Sequence, residues 1–297
     1  MSGLSYTRLG VLMGVGAYTL WGLLSLYLRA LAPLPPLYIM AHRVLWSLLL
    51  LAVITILFKR GAAARDAIRR PRVLLALLAS TILIGANWLL FIYAIDAGRA
   101  LQASLGYFIN PLVNVLLGVA ILRERLGRAE LAAIGLAATG VALLAIEQHA
   151  LPVIPLALAL SFGLYGLVRK MIGIGAVEGL LIETVILAPF ALGWLLLHGS
   201  PSVPPGTGPS LWLLMFGGVM TTAPLLLFNG AAQRIRYSDL GLLQYIGPTI
   251  QLVIAVQVFG EPLLPIHMVT FSMIWLGLVI YAAATWRRGR VTPLVPE

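Results

Sequence analysis

The sequence contains no cysteine, and charged residues make up only 10% of its 297 positions. The missing thiols exclude a disulfide framework, a thiolate nucleophile and a thiolate metal site. Soluble domains carry about 25% charged and about 45–50% apolar residues. This chain has fewer charged residues than that, and 61% of it is hydrophobic. Because both departures point the same way, the composition predicts an all-α polytopic membrane protein.

Short catalytic motifs are missing as well. The patterns G-x-S-x-G, H-E-x-x-H and G-x-G-D do not occur, and the four histidines are scattered, with only His42 deeply embedded in an apolar run. No sodium-site pattern is visible. We therefore expect no enzyme, no cofactor and no metal site. An intramembrane enzyme and a channel, which needs rings of like groups, stay as alternatives of other classes.

Long apolar runs, by contrast, fill most of the chain. A transmembrane helix needs about 20 predominantly apolar residues, and ten runs approach this length. The first follows Arg8 directly and is too long for a signal-peptide core, so we expect an uncleaved helix. The predicted spans are 9–28, 36–58, 73–95, 101–122, 129–146, 152–168, 176–197, 211–232, 240–259 and 265–286.

Basic residues alternate between the two sides of these spans very unevenly. Seventeen of the 20 Lys and Arg residues fall on one side, Arg29 and Arg99 fall on the other, and Arg43 lies inside a span. Basic residues in short loops stay cytoplasmic. The pattern predicts a multi-pass protein of the cell (inner) membrane with both termini cytoplasmic. The net charge of +10 is thus a topology signal, and no nucleic-acid partner is expected.

The stretch 107–111 (YFINP) has an echo at 244–248 (QYIGP), at a shift of 137 residues. The same shift aligns further positions, including a glutamate and an amide residue. Five predicted spans per unit is an odd number, so the second unit starts on the opposite side of the membrane. Such inverted repeats are the usual architecture of secondary transporters, although duplication without transport is an alternative. We predict two five-helix repeats, 1–147 and 148–297, the second with a short basic cytoplasmic tail.

Five strings spread over the chain carry a family resemblance: HRVLWS (42–47), GANWLLFIYA (85–94), ASLGYFINPLVNVLLG (103–118), GLVRK (166–170) and LQYIGPT (243–249). With them the chain resembles the RarD branch of EamA-type proteins, part of the drug/metabolite transporter superfamily. The resemblance covers essentially the whole chain. It implies ten helices in two inverted halves, and efflux or exchange of small metabolites. RarD-type proteins are labelled chloramphenicol-sensitivity permeases, and related EamA branches export amino acids.

Polar residues in the fourth predicted span fall on one helical face. They recur at i, i+3, i+4 and i+7, and the equivalent span of the second repeat has a similar face. Pro111 and Pro248 each remove a backbone donor, which predicts a kink in both helices. Polar groups in a bilayer face protein, water or substrate, so these faces either line a cavity or join helices. The candidate substrate-path residues here are Tyr107, Asn110, Asn114, Gln244, Tyr245 and Gln251.

Aromatic and amide side chains of the first, third and sixth spans add further candidates. Tyr18 and Trp21 lie too deep to be interfacial anchors, so they either line the path or pack in the core. Asn87 shares a helical face with Ser80 and Phe91, for which packing is the main expectation. The substrate-path candidates from these spans are Tyr18, Trp21, Asn87, Trp88 and Tyr165.

Three ionisable residues are the sharpest outliers within the predicted spans: His42 and Arg43 in the second, and Glu183 in the seventh. A charge at such depth costs roughly 2.5–3.5 kcal/mol on insertion scales. Arg43 and Glu183 are expected on opposite sides of the midplane, roughly 12 Å apart in depth. Arg43 suits a substrate carboxylate or phosphate, and Glu183 suits a coupling proton. The alternatives are a structural ion pair between them, or an Arg43 that snorkels to the surface.

Charged residues at the span ends have simpler interpretations. Glu124 is flanked by two arginines, which predicts a solvated interface pair, and Glu261 is expected to be structural. Asp96 and Arg99 predict a local salt bridge, with an outer gate as the alternative.

Together these features predict a small-molecule secondary transporter. It exports or exchanges an amphipathic metabolite or drug by alternating access through a central cavity. The expected partners are the substrate and the lipid bilayer, with a proton as the candidate coupling ion. An amino-acid exporter is the alternative within the same class.

Overall fold

The computed structural model describes residues 6–32, 34–96, 100–147, 153–201, 210–258, 260 and 265–291, and all regular structure in these ranges is helical. The helices are α1 (Tyr6–Ala30), α2 (Pro36–Leu57), α3 (Gly61–Ile68), α4 (Pro71–Asp96), α5 (Ala100–Ala120), α6 (Arg128–Glu147), α7 (Val153–Met171), α8 (Ala176–His198), α9 (Leu211–Ala232), α10 (Tyr237–Leu243), α11 (Ile246–Gln257) and α12 (Pro265–Val291).

Seven helices of the described ranges are long and apolar enough to cross a membrane: α1, α2, α4, α6, α7, α8 and α9. Helices α5 and α12 contain shorter apolar stretches. Large hydrophobic side chains cover the outside of the bundle; Ile56 is 75% exposed and Leu197 is 84% exposed. A surface of this kind is stable against lipid rather than water. The prediction of an all-α polytopic membrane protein is therefore confirmed.

The first and second halves of the chain interlock. Helix α2 packs against α8 and α9, α1 against α9 and α11, and α4 against α7 and α8. The contact between α9 and α2 is especially close: a Cβ added to Gly218 would lie 2.7 Å from the carbonyl carbon of Trp46. A small residue is needed where two helix backbones approach in this way. The groups described below lie in this interface between the halves.

The ninth predicted span is not one continuous helix. It is divided into α10 and α11 by a turn at Gln244 and Tyr245. Pro248 falls in the first turn of α11, where the missing N–H costs no intrahelical hydrogen bond. Pro111 lies inside the continuous helix α5. The two prolines predicted to kink equivalent helices thus occupy different settings.

The connection from α9 to α10 is held by charged side chains. The Arg236 guanidinium donates to Glu130 Oε1 at 2.9 Å, to Asp239 Oδ1 at 2.7 Å and to the Tyr281 hydroxyl at 3.1 Å. The hydrogen bond with Asp239 is the main reason that the pKa of Arg236 lies above its ordinary value. This cluster ties α6, α10 and α12 together.

Glu124 has a different partner from the one expected. Its carboxylate accepts hydrogen bonds from the backbone N–H groups of Tyr237 at 2.6 Å and Ser238 at 2.9 Å. The prediction of a solvated pair with the neighbouring arginines is therefore wrong. Glu124 fills the role of an N-terminal cap for α10, because the first N–H groups of a helix lack intrahelical partners. Glu261, Arg99 and the side chain of Asp96 lie outside the described residues.

Candidate functional site

A cavity of about 410 Å³ lies between α1, α2, α4 and α9, near the turn that joins α1 to α2. Its walls are mainly aliphatic and aromatic. The polar groups among its described lining residues are Arg43, Thr221 and the indole of Trp88. Small-molecule sites typically combine apolar walls with a few placed polar groups in this way. The remaining lining residues are Leu28, Ala32, Leu34, Pro36, Ile39, Met40, Phe91 and Ile92.

Arg43 is held at the inner end of this cavity by one hydrogen bond. Its Nε donates to Thr221 Oγ1 at 2.7 Å, and the Thr221 hydroxyl in turn donates to Gly217 O at 2.8 Å. No described residue accepts a hydrogen bond from the two terminal nitrogens of Arg43. A guanidinium fixed through Nε presents its other edge to an anion, with the geometry that matches a carboxylate.

A second, much smaller space adjoins the cavity. It has a volume of about 10 Å³ and is lined by residues that include Tyr165, Glu183 and Thr184. Trp88 and Thr221 line both spaces, so these two side chains form the partition between them. The smaller space has room for about one water molecule. It is called the inner void below, and the larger one the open cavity.

Glu183 lies on the wall of the inner void, in a buried polar cluster. Its carboxylate accepts hydrogen bonds from Ser80 Oγ and from the Tyr165 hydroxyl, the latter at 3.4 Å, and faces Arg169 Nε at 3.7 Å. Asn229 links the cluster to α9, because its amide donates to the Tyr165 hydroxyl and accepts from Arg169 Nε. This buried cluster joins α4, α7, α8 and α9.

The structural ion pair between Arg43 and Glu183, one of the alternatives left open by the sequence, is not formed. Glu183 pairs with Arg169 instead. The predicted sixth span ends at residue 168, so the sequence predicts a loop position for Arg169. The structure instead places Arg169 in α7, where its side chain has no exposed surface. Arg169 shares a helical face with Phe162 and Tyr165, at the end of the sixth predicted span, and this spacing is the sequence signal for its position inside the protein.

The room for Arg169 comes from a glycine. A Cβ added to Gly179 on α8 would overlap Arg169 Nη1. Nη2 of the same guanidinium reaches the carbonyl oxygens of Gly175 and Ala176 at 3.4 Å each. Nη1 is buried without a hydrogen-bond partner. Arg169 is therefore deeply enclosed but only weakly satisfied.

Aromatic candidates of the first span form a packed cluster with α7 and α9. The Trp21 ring centroid lies 5.6 Å from that of Phe162 and 5.7 Å from that of Phe228. Tyr18 is buried in the same cluster, 6.3 Å from Phe228. Neither Tyr18 nor Trp21 lines the open cavity or the inner void. Core packing, the alternative to a substrate path, describes their present setting.

The amide candidates join helices in this structure. Asn114 Nδ2 donates to Gln244 Oε1 at 2.9 Å, Gln251 Nε2 donates to Trp21 O at 3.3 Å, and Asn87 Nδ2 donates to Leu158 O at 2.8 Å. These are the interhelical contacts that the sequence left as an alternative. The other candidates outside the two spaces are His42 beside Tyr38, Tyr107 beside Phe91, Asn110, which is buried in α5, and Tyr245, which donates to Phe108 O.

The comparisons with known proteins agree with this architecture. The profile of the EamA-like transporter family matches residues 8–146. RarD of Salmonella typhimurium is 43% identical over 93% of this chain and 95% of its own length. The chain belongs to the RarD branch of the EamA-like transporter family.

Other relatives of this RarD-branch protein carry transporter names. An uncharacterized transporter of Vibrio cholerae is 42% identical over 94% of both chains. A protein of Pseudomonas aeruginosa named chloramphenicol-sensitive protein RarD is 30% identical over 91% of this chain and 92% of its own. A crystal structure superposes with a TM-score of 0.73 over 93% of this chain and 98% of the other, at 18% identity, which shows a shared fold. The RarD-branch chain is thus a membrane transporter.

Proposed function

We propose that the protein is a secondary transporter that exports or exchanges a small amphipathic anion by alternating access. The observation that carries this proposal is the asymmetry along the interface between the halves. The open cavity holds Arg43, while beyond Trp88 and Thr221 only the inner void remains. The buried cluster around Glu183 closes the path on the far side of the inner void. A path that is open at one end and packed at the other is what one state of an alternating-access carrier requires.

The proposed inverted repeat is consistent with the same mechanism. Residues 8–146, matched by the family profile, nearly coincide with the first proposed repeat, 1–147. Arg43 and Glu183 each lie seven residues after the first residue of α2 and α8, which are equivalent helices in a ten-helix arrangement of two inverted halves. Each is bound by a hydroxyl from the other half, Thr221 and Ser80 respectively. Two such equivalent halves can exchange open and closed shapes at small energetic difference.

The substrate class follows from the lining of the open cavity. Its apolar walls suit a hydrocarbon or aromatic body, and the free edge of Arg43 suits a carboxylate. An amino-acid exporter stays the alternative, since amino acids also carry a carboxylate. We propose that the protein lies in the inner membrane. In the topology proposed from the basic residues, both termini are cytoplasmic and the open cavity faces the outside of that membrane.

Exchange of solutes in proteoliposomes tests the proposal. Counterflow against a panel of aromatic and aliphatic carboxylates, amino acids and antibiotics should reveal saturable transport of at least one anion that is recovered chemically unchanged. Arg43→Gln should reduce its transport by about 100-fold, because truncating one partner of a buried charged contact costs 2–5 kcal/mol. Arg43→Lys should retain part of the activity, since it keeps the charge but loses the planar fork.

Arg65→Gln is the matched control, because it removes one positive charge from an exposed position on α3 and should leave counterflow unchanged. Flux that fails to saturate would identify a channel, and chemical conversion of the solute would identify an enzyme. Full activity of a well-folded Arg43→Gln variant would exclude Arg43 from substrate binding.

We also propose Glu183 as the site of a coupling proton. The groups that face it are Arg169 and Tyr165 of α7 and Ser80 of α4, with Asn229 of α9 behind them. The charged residue of α2, Arg43, lines the open cavity instead. With the coupling proton on Glu183, a pH gradient should drive uptake by the wild type. The Glu183→Gln variant should retain counterflow, but its uptake should no longer depend on the gradient. Gradient-driven uptake by Glu183→Gln would assign the proton to another group.

A further inference from the structure

We propose that Arg169 is a second anion site in the transport path, and that Glu183 occupies it as an internal substitute for the substrate carboxylate. This inference rests on the proposed transport of an anion. In the closed part of the path, Glu183 neutralises Arg169. When that part opens, the carboxylate of the substrate takes the place of Glu183. The ligand chemistry is that of a monoanionic carboxylate with an apolar body, the same chemistry that the open cavity suits.

The first support is the continuity of the path. Trp88 and Thr221 separate the open cavity from the inner void, and Glu183 lines the far wall of that void. Ser80, which donates to Glu183, lies on α4 eight residues before Trp88. The two positions are therefore roughly 12 Å apart along the helix axis. A small molecule that leaves Arg43 and passes this partition therefore next meets Glu183 and the guanidinium behind it.

The second support is the incomplete set of bonds around Arg169. A buried guanidinium is normally paired and hydrogen-bonded on all its edges. Here Nε donates to Asn229 Oδ1 at 3.3 Å and lies 3.7 Å from Glu183 Oε1, the contacts of Nη2 with two carbonyl oxygens are 3.4 Å long, and Nη1 has no partner. The Thr222 hydroxyl on the wall of the inner void is also buried without a partner. A carboxylate with freedom to approach would satisfy these groups better than the tethered carboxylate of Glu183 does.

The third support is the charge balance of the two parts. Arg43 carries a positive charge in the open part and has no acidic partner among the described lining residues of its cavity. In the closed part, the positive charge of Arg169 is cancelled by Glu183. An anion is thus attracted to the part that is open and not to the part that is closed. Competition between Glu183 and the substrate for one guanidinium links binding of the anion to opening of that part.

A thiol introduced at the inner void measures this competition without any transported substrate. Thr184 lines the void and is 7% exposed, and the natural chain has no cysteine. Thr184→Cys in detergent-solubilised protein is reacted with the sulfonatoethyl and the trimethylammonioethyl methanethiosulfonates, which are similar in size and opposite in charge. Glu183→Gln in this background should raise the ratio of anionic to cationic labelling rates by about tenfold, because it frees the positive charge of Arg169.

Further variants decide between outcomes. The double variant Arg169→Gln, Glu183→Gln should return the ratio to the value without Glu183→Gln, and Arg65→Gln, which removes an exposed positive charge on α3 away from the path, should change it less than twofold. Glu183→Asp keeps the charge in a shorter side chain, and its intermediate ratio provides the measurement should Glu183→Gln fail to fold. An unchanged ratio in Glu183→Gln, a raised ratio that survives loss of Arg169, or no labelling in any variant would each overturn the proposal.

The two experiments distinguish failure of the proposed function from failure of this inference. If counterflow finds no transported carboxylate but the labelling ratio follows Arg169, the anion site stands and the substrate class is wrong. If carboxylates are transported through Arg43 but the ratio ignores Arg169, the transport function stands and the second site does not.

Discussion

Glu183→Ala is expected to lower the free energy of unfolding by about 3–5 kcal/mol. Removal of this carboxylate leaves the charge of Arg169 buried and uncompensated, and breaking one partner of a buried pair has a cost of this size. Ser80 and Tyr165 lose their acceptor at the same time. Denaturant titration in mixed micelles, followed by circular dichroism, measures the change.

The matched comparison replaces both charges. Arg169→Met combined with Glu183→Leu should recover most of the lost stability, because well-packed apolar residues often replace a buried pair without loss. Glu183→Gln should lie between the wild type and Glu183→Ala, since its amide oxygen still accepts hydrogen bonds. A loss below about 1 kcal/mol for Glu183→Ala, the value for exposed pairs, would contradict the buried ion pair.

Gly179→Ala is expected to lower the free energy of unfolding by about 3 kcal/mol, although the substitution adds a single methyl group. The methyl group would overlap Arg169 Nη1, so the guanidinium must move away from Glu183 or the helices must separate. Overpacking alone costs about 1–3 kcal/mol, and part of the ion-pair energy is lost with it. The same denaturant titration measures the effect.

Gly193→Ala provides the control on the same helix, because nothing lies within 4 Å of the Cβ that it adds. Alanine is favoured over glycine in a helix by about 1 kcal/mol, so this variant should be as stable as the wild type or more stable. Equal losses at both positions would mean that crowding at Arg169 is not the cause.

The class of fold could be predicted from composition and periodicity, since lipid-facing helices need continuous apolar runs. Two details could not. The division of the ninth span into α10 and α11 depends on tertiary partners, because Gln244 is held there by Asn114 of α5. The burial of Arg169 depends on the space that Gly179 leaves on another helix, and a glycine in an apolar run carries no mark of what it accommodates.

Of the residues around the two spaces, the sequence singled out two charged residues and two aromatic ones as candidates, but not Arg169. Arg43, Glu183 and Trp88 stood out because such groups are costly or distinctive in a bilayer. The hydroxyl residues that hold the charges, Thr221 and Ser80, are common in membrane helices and carry no such signal. The roles of the amides in the fourth and ninth spans could not be predicted, since a polar helical face has the same pattern whether it faces a cavity or another helix.

The contacts between the two halves have a consequence for the biosynthesis of the protein and its insertion into the membrane. Arg43 is synthesised 178 residues before Thr221, which holds it, and Ser80 precedes Glu183 by 103 residues. At a synthesis rate of about 5–20 residues per second, Arg43 waits roughly 10–35 seconds for its partner. During that interval its guanidinium must reach toward the lipid head groups. The first half of the chain therefore enters the membrane as an unfinished assembly, and the two halves mature as one body.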